Sequence, residues 1–200
     1  MCTMAITTEM IKQLRELTQA GVLDCKRALE ENDGDFEKAA EYLKQKGLAA
    51  AAKKADRAAV DGRIEAYVHP GDKLAAMVEV NCETDFVART EAFQAFCHDV
   101  AMQVAAVAPR WVSREDLSAG EFAEIKAEFE KEAASGNKPA HIVERIIEGK
   151  LNKFYAETCL LEQPFVKDDS RTIQQLLTET IAKLGENIKI ARFARFQIES

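Results

Sequence analysis

The sequence has no run of about 18 apolar residues, so it offers no helix that would span a membrane. Its start, Met1-Cys2-Thr3-Met4-Ala5, lacks the pattern of a signal peptide. Met4 is expected to be the natural first residue, with a short remnant before it. Paired cysteine is missing too. Cys2, Cys25, Cys82, Cys97 and Cys159 are odd in number, far apart and set inside helix or strand patterns. No Cys-x-x-Cys pair or Cys/His cluster has zinc spacing, so buried reduced thiols in a reducing compartment are expected. Histidine is scarce: His69, His98 and His141 are scattered, with no serine or thiol nucleophile at a suggestive spacing. The chain has no Gly-x-x-x-x-Gly-Lys loop to cradle phosphates. Basic residues are outnumbered, 27 against 34, for a net charge of −7 and a pI near 5.2. Phosphate contacts need a basic surface, so direct nucleic-acid binding is not expected. No catalytic constellation, metal site or cofactor is indicated. The remaining class of partner is another protein.

What is present points to an α+β protein. Residues 1–47 read as three short helices. Thr7 or Thr8 can cap the first, which carries Ile11, Leu14 and Leu17 at helical spacing. Gly21 breaks it, and the second helix runs from Val22 to Glu31 before an Asn32-Asp33-Gly34 turn. The third carries Phe36, Ala39, Ala40 and Leu43 and is expected to stop at Gly47. Such a bundle resembles a ubiquitin-associated domain. Residues 48–60, rich in Ala, Lys and Arg, read as a semi-rigid, partly helical linker. Residues 61–200 form the core.

The core opens with a hairpin. Ile64, Ala66 and Val68 alternate with Arg63, Glu65 and Tyr67, Pro70-Gly71-Asp72 turns the chain, and a second strand follows. A helix over about 90–107 keeps His98 and Asp99 outward and Gln103 on the edge of its apolar stripe. Pro109 ends it. Residues 111–158 are mostly helical. Ser118 and Glu121 form a capping box, and Asn137-Lys138-Pro139 opens a further helix. Gln163-Pro164-Phe165-Val166 reads as an extended connector, and Gly185 closes the helix after it. Ile188 to Ile198 alternates as a strand and supplies the third member that a hairpin needs for stability. The sum is a small antiparallel sheet packed with helices.

Two stretches invite a functional reading. The first is Asn81-Cys82-Glu83-Thr84-Asp85-Phe86-Val87-Ala88-Arg89, a strand-to-helix corner. Thr84 and Asp85 are good N-cap residues. Phe86 has two readings: it folds back onto the core, or it stands out as a probe with Asp85 beside it. The second stretch is Val22 and Leu23, after Gly21. Both pack inward, or they form an apolar docking tip flanked by Arg15 and Lys26.

The corner is similar to the signature of elongation factor Ts, the guanine-nucleotide exchange factor of elongation factor Tu. Two further stretches match in order: Leu14 to Leu29, and Leu160 to Val166 followed by Ile181 to Ile188. The resemblance implies that Thr84, Asp85, Phe86 and Val87 disturb the Mg²⁺ site of elongation factor Tu. It implies that Arg15, Val22, Leu23 and Lys26 grip its GTPase domain. Many members carry Ala-Met-His in the helix after the corner, whose histidine reaches towards the partner's phosphate loop. This chain has Ala101-Met102-Gln103 there. Longer members hold two related core halves and this chain holds one.

That difference leads to a further expectation. A sheet covered on one side would leave Ala191 and Phe193 wet, so a homodimer joined through the core sheets is expected, with elongation factor Tu on each side. Each partner could then touch both subunits, one through Asp85 and Phe86 and the other through the helix of Gln103. The compartment is expected to be the cytoplasm, or an organelle matrix or stroma. The other class of reading is a non-catalytic adaptor using the small bundle. An adaptor has no use for an acid and an aromatic on the core, so the corner separates the two.

Overall fold

The computed structural model describes residues 6–18, 20–134 and 139–198. The expectations for Cys2, for Met4 and for Asn137-Lys138 lie outside the described residues. The fold is α+β. Among the described residues, eight α-helices accompany two small antiparallel sheets. The larger has strand order β1-β2-β5, from β1 (Asp61–Val68), β2 (Leu74–Cys82) and β5 (Ile188–Gln197). The smaller pairs β3 (Pro164–Phe165) antiparallel with β4 (Asp168–Thr172). The chain groups into two compact units: residues 1–64, 80–97 and 175–189, and residues 65–79, 98–174 and 190–200.

The first unit begins with three helices, α1 (Thr8–Thr18), α2 (Val22–Glu31) and α3 (Phe36–Ala52). Thr7 caps α1, its hydroxyl accepting from the Met10 N–H at 3.2 Å. Asp35 does the same for α3 through Lys38 N–H. The bundle core is Leu14, Cys25, Ala28, Leu29, Ala39 and Leu43. Leu17, on the stripe of α1 by spacing, is exposed instead. The third helix does not stop at Gly47. It runs on to Ala52, because five strong helix formers follow and a single glycine costs only about 1 kcal/mol. Gly47 also faces α8 (Ile173–Leu184), where a Cβ would meet that of Ala182 at 3.7 Å.

At the mouth of β1, Gly62 allows a close backbone approach. A Cβ there would lie 2.2 Å from the Val80 carbonyl oxygen, and φ is +152°. Gly185 adopts φ +79° and its N–H donates to Ile181 O, which closes α8 as expected.

The second unit holds the rest of the hairpin. Asp72 and Gly71 take positive φ at its turn. The β1 alternation is inverted relative to its apolar pattern: Ala66 and Val68 face solvent while Glu65 and Tyr67 are half-buried. The reason is polar. Glu65 pairs with His98 at 3.3 Å, Tyr67 meets the His98 ring edge-on, and its hydroxyl bonds His69. Along β5 the inward parity changes between Ile190 and Phe193. Phe193 is half-buried, and Arg195 donates to the Ala105 carbonyl at 2.9 Å, near the C-terminus of α5 (Glu91–Val107). The residues left wet are Ala191, Ala194, Phe196 and Ile198, so of the expected wet pair Ala191 stays exposed and Phe193 does not.

Helices α6 (Ala119–Ala134) and α7 (Ala140–Thr158) pack together. Ser118 and Glu121 make the expected capping box before α6. A second box, Ser113 with Asp116, precedes a 3-10 turn. The stretch read as an extended connector is the first strand of the β3–β4 hairpin.

Cys25, Cys82, Cys97 and Cys159 are buried and form no disulfide. Burial pushes the thiols of Cys25, Cys82 and Cys159 up from their ordinary values, so they stay protonated and inert.

Candidate functional site

The second strand delivers the corner. Ala76, Val78, Val80 and Cys82 are buried on one face of β2, and the chain then leaves the sheet at Glu83. Thr84 is the N-cap of a single-turn helix, α4 (Asp85–Ala88), with extended backbone angles. Asp85 is therefore the first helical residue rather than the cap, where its charge suits the helix N-terminus. It also pairs with Arg89 at 2.8 Å. Ala88 is buried and anchors the turn. Thr90 then caps α5, accepting from Phe93 N–H at 3.2 Å.

Phe86 stands out from this turn at 81% exposure. It does not fold back onto the core. Val87 and Asp85 are half-buried beside it. The result is an apolar ring next to a carboxylate on a short, doubly anchored turn.

A polar clasp holds the corner from behind. The Glu186 carboxylate accepts from Glu83 N–H at 3.1 Å, Thr84 N–H at 3.0 Å and the Thr84 hydroxyl at 2.6 Å. In return, the Glu83 carboxylate accepts from Asn187 N–H at 2.6 Å and from the Arg57 guanidinium at 3.4 Å. The Asn187 amide is buried and donates to the carbonyls of Ala55 and Arg57 at 3.2 and 2.7 Å. The Glu186 charge adds to burial in raising the Cys82 thiol. Sequence reading missed Glu186 and Asn187 as site residues. No local signal marked them, since Gly-Glu-Asn after a helix is an ordinary place for polar residues.

The second candidate patch is also exposed. Val22 is 52% and Leu23 77% exposed at the start of α2. Arg15 and Lys26 are exposed too, and Lys26 pairs with Glu30 at 3.7 Å. The inward packing of Val22 and Leu23 is not what the fold adopts.

Gln103 is not at the edge of its stripe. It is fully buried. Its amide N–H groups donate to Gln163 Oε1 at 3.2 Å and Pro164 O at 3.1 Å, and its oxygen accepts from Val166 N–H at 2.9 Å. The side chain fixes the β3 strand to α5 and leaves no group free for a partner. Among the described residues, no group of three His, Cys, Asp or Glu could hold a metal, and no helix is long and apolar enough to cross a membrane.

The family model for elongation factor Ts matches residues 5–200. The chain belongs to the elongation factor Ts family. It is 54% identical over 193 residues to elongation factor Ts of Carboxydothermus hydrogenoformans, covering 96% of this chain and 89% of that protein. The match to elongation factor Ts of Geobacter sulfurreducens is 53% with the same coverage. That to elongation factor Ts of Heliobacterium modesticaldum is 50%, over 96% of this chain and 90% of the relative. Membership gives the chain an elongation-factor role in translation.

The buried amide yields a prediction. Gln103→Leu keeps the volume but leaves the Val166 N–H and the Pro164 and Gln163 acceptors unpaired. Each such group costs about 1–3 kcal/mol, so the variant is expected to lose at least about 2 kcal/mol in chemical denaturation. A stability equal to the parent would mean that water replaces the amide.

Proposed function

We propose that this chain is a guanine-nucleotide exchange factor for elongation factor Tu, acting through the Thr84-Asp85-Phe86-Val87 corner in the cytoplasm. The observation that carries this reading is Phe86: an aromatic at 81% exposure on a turn held by backbone hydrogen bonds. Leaving a phenylalanine in water forgoes about 1.5–3 kcal/mol of burial free energy. A partner that covers the ring recovers it.

The task is set by the partner's grip. A nucleotide bound at nanomolar affinity, with an on-rate of about 10⁶–10⁷ M⁻¹s⁻¹, leaves over roughly minutes or longer. Backbone N–H groups around the phosphates and a six-coordinate Mg²⁺ supply that grip. An exchange factor need not touch the nucleotide. It binds better to the state in which that geometry is spoiled. In this reading Phe86 enters the switch region of the GTPase and Asp85 accompanies it towards the Mg²⁺ site. The coupling is reciprocal, so excess GTP displaces the factor. Val22 and Leu23, with Arg15 and Lys26, grip the GTPase domain and supply affinity. The structure gives no support to a direct role for Gln103, whose amide is committed within the chain.

The second unit supports a homodimer. Val68 is 57%, Met77 46% and Phe196 67% exposed on strands of one sheet, with the Glu79–Arg192 pair beside them at 2.6 Å. Contiguous apolar surface of this kind marks an interface, and two-fold pairing is the commonest way to cover it. The occupant is a second copy, with one elongation factor Tu bound on each side.

Three results test these statements. Asp85→Ala with Phe86→Ala should slow GDP release from elongation factor Tu at least about tenfold. It should leave stability within about 1 kcal/mol, because only an exposed ion pair and a solvated ring are removed. A cooperative unfolding transition that collapses instead would make Phe86 a core residue. Leu23→Asp should weaken the complex by about 2 kcal/mol or more in calorimetric titration, because it charges a docking centre. An unchanged affinity would assign the bundle elsewhere. Sedimentation at micromolar concentration should give a dimer that Phe196→Glu dissociates, whereas a 22.2 kDa monomer, free and bound one-to-one, would rule the dimer out.

A further inference from the structure

We infer that Glu186 is a positioning residue for nucleotide exchange, setting the direction in which the corner presents Asp85 and Phe86. The inference rests on the reading of that corner as the exchange element. It adds a residue that lies about a hundred positions along the chain and belongs to none of the exposed patches.

Four residues cannot sustain a helix, because nucleation fixes several dihedrals for a single hydrogen bond. The turn therefore takes its geometry from its ends. At the far end, Ala88 is buried and Thr90 caps the next helix. At the near end, Thr84 has its N–H and its hydroxyl bonded to one carboxylate, that of Glu186, which also holds the Glu83 N–H. Both N–H bonds run to the same oxygen, Oε2, and the hydroxyl bond to Oε1. Three charge-assisted bonds to one anion fix the peptide plane before Thr84, and hence the axis on which Asp85 and Phe86 project. By contrast, the Thr84 hydroxyl accepts from the Val87 N–H at only 3.5 Å, so the internal cap is weak. Glu186 is held in turn. It follows the left-handed Gly185, and its neighbour Asn187 is anchored to Ala55, Arg57 and Glu83. Neither residue needs to touch the partner. The role follows from preorganisation: a probe already held in its bound direction loses less freedom on docking.

Stopped-flow release of a fluorescent GDP analogue from elongation factor Tu, over a range of factor concentrations, tests this together with amide hydrogen exchange on the free protein. Glu186→Ala should strip protection from the Glu83 and Thr84 amides. It should lower the maximal release rate about tenfold with little change in the half-saturating concentration, because the Val22–Leu23 tip is untouched. Glu186→Gln should recover much of both. Its amide oxygen accepts the two N–H bonds, and the Thr84 hydroxyl turns to accept from the new NH₂. On a Phe86→Ala background, Glu186→Ala should cost much less, because only Asp85 is left to direct. The idea is overturned if Glu186→Ala loses amide protection and still drives exchange at the parent rate. An equal extra loss in the Phe86→Ala background also overturns it, because Glu186 would then act elsewhere. Should Glu186→Ala fail to fold, Glu186→Asp decides, because its carboxylate falls one methylene short of Thr84: an exchange defect on the native background that shrinks in the Phe86→Ala background supports the role, and parent-like kinetics removes it. If Phe86→Ala alone exchanges like the parent, the corner reading fails and this inference fails with it. A parent-like Glu186→Ala beside a defective Phe86→Ala defeats only the inference.

Discussion

A carboxylate reaching across a sheet corner to two backbone N–H groups and a hydroxyl is the interaction on which the rest of this molecule depends. Glu186 follows the end of α8 and Glu83 precedes the cap of α4, and each satisfies a backbone donor of the other's segment. Strand β2, the linker residues Ala55 and Arg57, the end of α8 and the start of β5 meet at that point. A partly buried polar network of this kind holds its geometry best when its members are satisfied. Here the Asn187 amide, the Glu83 carboxylate and the Glu186 carboxylate all have partners. The arrangement explains how a four-residue helix, too short to stand by itself, has a defined direction.

Much of the fold was legible in the sequence because it rests on period and punctuation. The bounds of α2, the Asn32-Asp33-Gly34 turn, the hairpin at Pro70-Gly71-Asp72, the Ser118–Glu121 box and the close of α8 at Gly185 each have a local cause. The errors have particular causes, one local and two not. Gly47 looked like a stop because glycine ends helices, yet Leu48 and four alanines carry α3 onward. The β1 pattern suggested that Ile64, Ala66 and Val68 face inward. A single buried-side pair, Glu65 with His98, reverses it, and such a pair cannot be seen from either residue alone. Gln103 sat on an apolar stripe and looked marginal. Only the chain returning at Gln163 to Val166 supplies the partners that let it be buried.

The site was legible in a different way. Phe86 stood out as a ring at a corner with little room to bury it, and Val22 and Leu23 as an apolar pair at a helix mouth; burial was an open reading for each, and all three are exposed. Their motifs are short and contiguous. The clasp was not legible, because it joins residues about a hundred positions apart and its members are ordinary polar residues. Charge cannot flag it either, since Glu186 is one of 34 acidic residues.

The continuity of α3 has a mechanical consequence. A 17-residue helix is a rod of roughly 25 Å, stiff on the scale of a small domain. It begins in the bundle that carries Val22 and Leu23. It ends at a turn whose carbonyls are tied by Asn187 to the corner that carries Phe86. A flexible tether would dilute the second contact by the volume the tether explores. A rod allows no such search. In the proposed complex, once one of the two patches is seated the other arrives at a fixed separation, so their local concentration is set by geometry and not by linker length.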